Sequence, residues 1–256
     1  MNPIVIIPAR MASTRLPGKP LADIAGTPMI VRVWRQARAA EIGPVLVAAA
    51  EAEIARAIET AGGAAVLTDP ALPSGTDRVF AALEKFDIKN AHDVIVNLQG
   101  DLPLLDPAQL QIVVEALAAS AADIATLAAP VVDEADVDNP NVVKPVIAWN
   151  ADGSLGRALN FTRARAPYGP GAVFHHIGIY AFRRVALARF VALAPSPLEQ
   201  REKLEQLRAL EAGMSIAVAR VDKVPLSVDT EADLARVREA VARDAESSSH
   251  GSTSSP

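Results

Sequence analysis

The N-terminal segment of the chain reads Ile4-Val5-Ile6-Ile7 and then Pro8-Ala9-Arg10-Met11-Ala12-Ser13-Thr14-Arg15-Leu16-Pro17-Gly18-Lys19-Pro20. The four apolar residues predict a short buried strand. Three permanent cations, Arg10, Arg15 and Lys19, follow in the loop behind it. A loop in this position lies at the edge of an open α/β sheet where ligands bind. Cationic side chains beside free backbone N–H groups therefore predict a polyphosphate site.

The glycine spacing in this loop does not match the common phosphate-binding motifs. It is neither that of a Walker P-loop nor that of a Gly-x-Gly-x-x-Gly turn. Phosphate binding is therefore expected from arginine and lysine side chains. Ser13 is either a further phosphate contact, through its hydroxyl and N–H, or an ordinary turn residue. Pro17 and Pro20 restrict the loop, which favours a formed site over a solvated basic segment.

Strands and helices alternate through the first half of the chain. Apolar periodicity predicts strands at residues 44–49, 64–67 and 93–98 and helices at residues 29–37, 51–61 and 76–86, with a further helix from residue 107. This alternation predicts right-handed βαβ units. The expected fold class is therefore α/β, with a mostly parallel sheet flanked by helices.

The pattern changes after residue 123. Strands are predicted at residues 124–128, 142–149 and 174–182 without regular helices between them, followed by one amphipathic helix at 197–212 and a last helix at 233–243. The segment 247–256 is almost entirely Ser, Thr, Gly and Pro, which predicts a disordered tail.

Composition narrows the function classes. The chain has 256 residues, of which 50% are hydrophobic, and its formal net charge is −5. Such a chain can bury a large core, and its charge offers no general attraction for nucleic acid or an anionic membrane. The absence of cysteine excludes disulfides and thiolate chemistry. The sequence shows neither a signal-peptide pattern nor an apolar run of ~18 residues that could span a bilayer, so a cytoplasmic protein without a membrane partner is expected.

Two further segments carry candidate ligand contacts. Ser74, Gly75 and Thr76 lie at the start of a predicted helix, and they either cap it or help its N-terminus to bind an anion, with Arg78 adding a charge one turn later. Asp101 ends a predicted strand, where an acid either forms a turn or binds Mg²⁺ together with phosphate oxygens. The Gln99 amide beside it offers a donor and an acceptor to a nucleotide base.

Several motifs together resemble the 3-deoxy-manno-octulosonate cytidylyltransferase (CMP-Kdo synthetase) family, from about residue 4 to about residue 241. The first is the loop quoted above. The others are Ser74-Gly75-Thr76-Asp77-Arg78, Val96-Asn97-Leu98-Gln99-Gly100-Asp101, Asn139-Pro140-Asn141-Val142-Val143-Lys144, His176-Ile177-Gly178-Ile179-Tyr180, Pro197-Leu198-Glu199 with Leu204-Glu205-Gln206-Leu207-Arg208, and Val228-Asp229-Thr230.

The resemblance implies a nucleotide-diphospho-sugar transferase-like fold with an inserted, partly antiparallel lobe. A single nucleotidyltransferase domain would span residues 1–246. Its nucleotide half would take about residues 1–122 and 214–246, and its sugar-acid and dimerisation lobe about residues 123–213. The implied reaction joins CTP and 3-deoxy-D-manno-octulosonate (Kdo) into CMP-Kdo and diphosphate, for lipopolysaccharide biosynthesis. The implied partners are these two substrates and a second copy of the chain, with Mg²⁺ as cofactor.

The resemblance also implies roles for individual residues. The nucleotide-binding residues would be Pro8, Ala9, Arg10, Ser13, Lys19, Ser74, Gly75, Arg78 and Gln99. The catalytic residues would be Arg10, Arg15, Lys19 and Asp101, and the metal ligands Asp101 and Asp229. The sugar-acid residues would be Arg15, Arg163, His176, Tyr180, Glu205 and Gln206, the family pattern selecting His176 over its neighbour His175.

The chain departs from the family pattern at two places near the expected nucleotide pocket. Leu102 stands where the family usually has Glu, and Ala49-Ala50 where it usually has Thr-Asp. Three other functions stay open: a cytidylyltransferase for sialic acid or 8-amino-Kdo, a glycosyltransferase, and a non-catalytic nucleotide-sugar binding protein. The strand end lacks the Asp-x-Asp motif expected of a glycosyltransferase. The presence of both acids and of the first-loop cations favours an enzyme over a binding protein.

Overall fold

A computed structural model of the chain describes residues 1–13 and 15–250. Its strands are β1 (Pro3–Ala9), β2 (Asp23–Ile24), β3 (Thr27–Pro28), β4 (Val45–Ala49), β5 (Ala64–Leu67), β6 (Val94–Leu98), β7 (Ile124–Pro130), β8 (Lys144–Trp149), β9 (Leu155–Thr162), β10 (Phe174–Arg183) and β11 (Ile216–Arg220). Its helices are α1 (Met29–Ala39), α2 (Ala52–Thr60), α3 (Gly75–Phe86), α4 (Ala108–Ala118), α5 (Glu134–Val137), α6 (Arg184–Val191), α7 (Pro197–Glu202), α8 (Gln206–Glu211) and α9 (Glu231–His250). A 3₁₀ turn spans Lys19–Leu21.

Within the described residues, nine strands form one sheet in the order β5-β4-β1-β6-β10-β7-β11-β9-β8. The strands β5, β4, β1 and β6 are parallel to one another. The carboxyl ends of β1 and β6 therefore lie side by side at one edge of the sheet, and the loops that follow these two strands meet there. The predicted α/β fold, with a large mixed sheet flanked by helices, is confirmed.

The second half of the chain extends the same sheet. β10 lies antiparallel between β6 and β7, β11 runs parallel to β7 and antiparallel to β9, and β8 forms the outer edge beside β9. The partly antiparallel strands thus continue the nucleotide half without a separate layer. The segment at residues 216–220, which the resemblance assigned to the nucleotide half, forms β11 between β7 and β9.

The single helix predicted at residues 197–212 is wrong. α7 ends at Glu202, and Lys203 takes a left-handed conformation with φ of 56° before α8 begins at Gln206. Glycine is the residue that usually occupies such a position, so a lysine there gives the sequence no sign of the break. The break at Lys203 lets the start of α8 pack against the sheet, where α8 buries Gln206, Leu207, Arg208 and Ala209.

Periodicity did not reveal β9, β11 or α6. The eight residues of β9 alternate poorly between buried and exposed, and β11 contains two alanines, which have low strand propensity. α6 begins at the residue directly after β10, so no turn signal separates the two elements. These elements form because neighbouring strands and the core select them.

Apolar cores cover both faces of the sheet. One face packs against α1, α2 and α4, and the opposite face packs against α3, α6 and α8. A smaller cluster joins the first loop, the β2–β3 hairpin and α9 through Leu16, Ile24, Met29, Val228, Leu234 and Val237. Full burial stabilises each such side chain by about 1.5–3 kcal/mol. The small cluster therefore fixes the first loop against the segment that carries Asp229.

The end of the described chain differs from the expected tail. α9 continues to His250 and so includes residues 247–250 of the segment for which disorder was predicted. Residues 251–256 of that segment lie outside the described part of the chain. None of the described helices combines the length and the apolar character needed to cross a bilayer.

Candidate active site

A cleft of about 330 Å³ opens at the carboxyl ends of β1 and β6. It is lined by Pro8, Ala9, Arg10, Ala12, Ser13, Arg15, Lys19, Pro20, Ser74, Gly75, Arg78, Gln99, Gly100 and Asp101. Every residue that the sequence suggested for the nucleotide, and every residue that it suggested for catalysis, therefore borders one cavity. The prediction that these distant segments meet at the sheet edge agrees with the geometry.

Lys19 lies at the centre of the charged groups in the cleft. Its Nζ donates to Asp101 Oδ2 at 3.1 Å, to Asp229 Oδ1 at 3.1 Å and to the Val228 carbonyl at 2.7 Å. An ammonium has three donors, and each finds an oxygen here. Only 16% of the Lys19 side chain is exposed. Two acids that are far apart in sequence thus converge on a single cation.

Two further contacts hold this centre together. The Val228 N–H donates to the Asp101 carbonyl at 2.9 Å, which joins the loop after β6 to the segment before α9. Arg15 Nη2 lies 3.2 Å from Asp229 Oδ1, although the Arg15 side chain is 64% exposed. The formal charges of Arg15, Lys19, Asp101 and Asp229 cancel, and Arg15 remains open to an incoming anion.

The turn that carries Asp229 is fixed by the first turn of α9. Asp233 Oδ2 accepts hydrogen bonds from the N–H groups of Asp229 and Thr230 at 3.1 and 2.9 Å and from the Thr230 hydroxyl at 2.8 Å. The Asp233 N–H in turn donates to Thr230 Oγ1 at 3.2 Å, which completes a reciprocal capping box. Desolvation alone would raise the pKa of Asp233, but bonds from Thr230, Arg236 and the two N–H groups lower it to about 2.

The two acids of the centre have the donor chemistry of a magnesium site. Desolvation raises the pKa of Asp101; Lys19 opposes this effect and the Asp229 charge adds to it. An oxygen of each carboxylate lies 3.1 Å from the same point, which is Lys19 Nζ. Mg²⁺ is usually held by one or two carboxylates and completes its shell with water and phosphate oxygens. Among the described residues no group of three or more His, Cys, Asp or Glu side chains could hold a metal.

The N-terminus of α3 forms one wall of the cleft. Ser74 Oγ caps the helix by accepting the Asp77 N–H at 3.1 Å. A Cβ added at Gly75 would lie 3.3 Å from Pro8 Cγ and 3.4 Å from Gln99 Oε1. The missing side chain therefore lets the Gln99 amide and Pro8 approach the helix N-terminus, where backbone N–H groups favour an anion or an acceptor.

The two arginines expected to bind the nucleotide, Arg10 and Arg78, differ in their surroundings. Arg78 is buried, and its Nη1 donates to Thr68 Oγ1 at 2.6 Å and to the Asp69 carbonyl at 3.0 Å. Desolvation lowers the pKa of Arg78, and the nearby Arg10 charge lowers it further. Arg10 itself is exposed. Arg78 therefore holds the loop behind β5 as well as lining the cleft, and Arg10 is the more accessible guanidinium.

Two sugar-acid candidates lie on β10 beside aromatic rings. The His176 ring centroid is 4.9 Å from that of Phe161 and 5.5 Å from that of Tyr180. Desolvation lowers the pKa of His176 to about 3, with His175 adding to the effect, and desolvation raises the pKa of Tyr180. His176 is therefore neutral, and its Nε2 lies 3.0 Å from Thr126 Oγ1.

Glu205 and Gln206 lie at the start of α8 on the same side of the sheet. Among the described residues, Glu205 Oε1 and Gln206 Nε2 are buried atoms without a hydrogen-bond partner. A buried polar group without a partner typically costs about 1–3 kcal/mol. One of these atoms is an acceptor and the other a donor, so together they suit a ligand rich in hydroxyl groups.

Arg163 is less available than the other sugar-acid candidates. Its Nε donates to the Glu202 carbonyl at 2.7 Å and its Nη1 to the Pro140 carbonyl at 2.8 Å. The first bond ties the end of β9 to the break between α7 and α8, and the second ties it to the segment between α5 and β8. The structure therefore gives the Arg163 guanidinium a local structural role, and a contact with a substrate stays a prediction.

Sequence reasoning did not predict the buried contacts of two polar residues. Asn97 and Thr76 are buried between the nucleotide loop and α8, and they join Gln99 to Glu205 through hydrogen bonds. One signal was present. Asn97 interrupts an otherwise apolar strand, and a buried amide in such a strand needs partners for its donors and its acceptor.

Comparisons with known proteins identify the family. A family model described as cytidylyltransferase matches residues 4–216. The 3-deoxy-manno-octulosonate cytidylyltransferase of Parvibaculum lavamentivorans is 64% identical over 242 residues, which cover 94% of this chain and 93% of that protein. The chain belongs to the 3-deoxy-manno-octulosonate cytidylyltransferase family. The family assignment made from the motifs is confirmed.

Two solved structures resemble this chain, and the first of them supports the family membership. CMP:2-keto-3-deoxy-manno-octonic acid synthetase complexed with CTP is 36% identical with a TM-score of 0.87, and the match covers 95% of this chain and 100% of that one. The 4-diphosphocytidyl-2C-methyl-D-erythritol synthase of Anaerococcus prevotii is 13% identical with a TM-score of 0.63, over 94% and 99% of the two chains. The second likeness shows the fold alone.

The capping box predicts a pH-dependent contribution to stability. Because the folded pKa of Asp233 is depressed to about 2, its contribution is present above the unfolded pKa of ~3.9 and is lost as the pH falls towards 2. Asp233→Asn should lower the free energy of unfolding by about 2 kcal/mol at pH 7, and by clearly less at pH 3. Urea unfolding at both pH values measures the difference.

Glu239→Gln removes one negative charge from an exposed position on the same helix and serves as the matched control. It should change stability little at either pH. A difference between wild type and Asp233→Asn that is the same at pH 7 and pH 3 would contradict the assignment of the depressed pKa to Asp233.

Proposed function

We propose that the chain transfers CMP from CTP to Kdo, releasing diphosphate and forming CMP-Kdo for lipopolysaccharide biosynthesis. The observation that carries this proposal is the cleft lined by Arg10, Arg15, Lys19 and Asp101, with Asp229 paired to Arg15 and Lys19. The family membership supplies the substrates, since a relative is named 3-deoxy-manno-octulosonate cytidylyltransferase and a related structure contains CTP.

The reaction needs alignment and charge stabilisation rather than a covalent enzyme intermediate. The anomeric hydroxyl oxygen of Kdo forms a bond to the α-phosphorus of CTP and loses its proton. The bond from this phosphorus to the bridging oxygen breaks, and that oxygen leaves with diphosphate. Both substrates are anions, so the protein must hold like charges together and offset the charge that grows on the phosphate oxygens.

Different residues of the cleft would bind the phosphates, the base and the sugar acid. Arg10 and Ser13 would hold the phosphates, because they lie in the loop after β1 and border the open cavity. Ser74, Gly75 and Gln99 would bind the base, since the Gln99 amide lies against the α3 N-terminus. Arg15 is exposed at the mouth beside Asp229, so it would face both nucleotide and sugar acid.

Magnesium is the proposed cofactor, and Asp101 with Asp229 are the residues that would hold it. When bound, Mg²⁺ would supply positive charge against the α-phosphate oxygens. Lys19 now occupies the point on which both carboxylates converge. Its ammonium would therefore release a carboxylate and turn to the triphosphate, which has oxygens enough for three donors.

The sugar acid would lie on the α8 side of the cleft. Glu205 Oε1 and Gln206 Nε2 lack hydrogen-bond partners among the described residues and would meet sugar hydroxyl groups. Tyr180 and the neutral His176 form the aromatic wall beside them. Arg163 would contribute through the α7–α8 break that it holds in place.

A homodimer in the cytoplasm completes the proposal. The proposed dimer contact lies on the lobe of about residues 123–213, which exposes several large apolar side chains, namely Val132, Leu159, Tyr168 and Val185. Exposed apolar groups of this size are common at protein interfaces.

The reaction itself is tested by diphosphate release from CTP. Purified protein with Mg²⁺ and Kdo should release diphosphate and form CMP-Kdo, and sialic acid or 8-amino-Kdo should support a clearly lower kcat/KM. If diphosphate is released with sialic acid or 8-amino-Kdo but not with Kdo, that acid is the acceptor substrate instead. Binding of CTP without turnover of any of the three acids would contradict an enzymatic role.

The metal assignment predicts that Asp101→Asn and Asp229→Asn each lower kcat at least ~100-fold, because each removes a charged ligand and charge stabilisation. Circular dichroism should show an unchanged fold. Asp106→Asn is the matched control, since Asp106 lies outside the cleft and its Oδ1 accepts only the Ala108 N–H in the hydrogen bonds of the structure. Near-normal kcat in both site variants at saturating Mg²⁺ would exclude the assignment.

A further inference from the structure

A buried chain of hydrogen bonds crosses from the nucleotide side of the cleft to α8. Gln99 Nε2 donates to Asn97 Oδ1 at 3.2 Å, and Asn97 Nδ2 donates to Thr76 Oγ1 at 3.2 Å. Thr76 Oγ1 then donates to Glu205 Oε2 at 2.6 Å. Thr76 is 3% exposed and Asn97 is fully buried. Neither residue borders the cleft, so the mechanism above makes no use of them.

The direction of this chain is fixed by the number of protons each group has. The side-chain oxygen of Asn97 accepts a hydrogen bond from Gln99, so the amide nitrogen of Asn97 faces Thr76. The threonine hydroxyl has one proton, and because it accepts from Asn97 it donates that proton to Glu205. A hydroxyl-to-carboxylate bond of 2.6 Å is in the range of charge-assisted bonds.

The bond occupies one Glu205 oxygen and leaves the other without a hydrogen bond. Oε2 takes the Thr76 hydroxyl, whereas Oε1 has no hydrogen-bond partner among the described residues. Arg208 Nη2 forms a long ion pair with Oε1 at 3.8 Å. Arg208 already pairs with Glu199 at 2.8 and 2.5 Å. Without the Thr76 bond, Oε2 as well as Oε1 could turn towards Arg208.

Thr76 also connects the two halves of the site through one helix turn. Gly75 lies against the Gln99 amide, and the next residue, Thr76, binds Glu205. Both belong to the first turn of α3, which Ser74 caps. The same helix N-terminus that borders the nucleotide cleft therefore sets the position of a carboxylate on α8.

We propose that Thr76 is a positioning residue for the sugar acid: its hydroxyl holds Glu205 Oε2 so that Oε1 faces the substrate. Asn97 supports this role because it directs the hydroxyl proton towards Glu205. The inference rests on the proposed function, in which Glu205 contacts Kdo.

Thr76→Val tests the inference because it removes the hydroxyl and keeps the branched shape. The KM for Kdo should rise about tenfold or more, since a hydrogen bond to a charged group is lost, whereas the KM for CTP should change less than about twofold because the cleft lining is intact. Thr76→Ser keeps the hydroxyl and should stay near wild type for both substrates. Thr76→Ala replaces the valine variant if that variant does not fold.

The double variant Thr76→Val/Glu205→Gln separates positioning from general damage. If Thr76 acts through Glu205, the second substitution should add little to the Kdo KM of Glu205→Gln. Additive effects, equal rises in the two KM values, or a serine variant as impaired as the valine variant would overturn the inference. A normal KM for Kdo in Thr76→Val would overturn the inference and leave the proposed function intact. The proposed function fails only if the wild-type protein does not use Kdo.

Discussion

The site depends on one ammonium group, that of Lys19, held between two carboxylates. Asp101, Asp229 and the Val228 carbonyl come from the loop after β6 and from the segment before α9, and all three accept from Lys19. Unpaired, two partly buried carboxylates so close together would repel each other and resist ionisation. The lysine therefore allows the two acids to share one place, and it links three segments that are distant in sequence.

The packing around this contact explains why it can form. The apolar cluster of Leu16, Ile24, Met29, Val228, Leu234 and Val237 presses the first loop against the start of α9. The Thr230–Asp233 capping box then fixes the turn that bears Asp229. Parallel pairing of β1 with β6 brings the loop that carries Lys19 next to Asp101. Apolar burial thus supplies the energy, and the hydrogen bonds supply the geometry.

The sequence revealed the features that depend on local pattern. The strand Ile4-Val5-Ile6-Ile7, the cationic loop and the βαβ alternation were predicted correctly, because apolar runs and loop chemistry are local signals. The break at Lys203 was missed because a lysine holds a left-handed position that usually belongs to glycine. β11 was missed because its alanines become a strand only between β7 and β9. The Thr76–Glu205 bond joins residues on separate elements, and no spacing along the chain could show it.

The most direct measurement is a crystal structure of the protein with CTP and Mn²⁺ in place of Mg²⁺, using the anomalous signal of manganese. The account predicts an anomalous peak within about 2.0–2.3 Å of oxygens from both Asp101 and Asp229 and from the triphosphate. Lys19 should have left at least one carboxylate for a phosphate oxygen. A triphosphate in the cleft whose ion touches neither acid, with Lys19 still bridging both, would contradict the account.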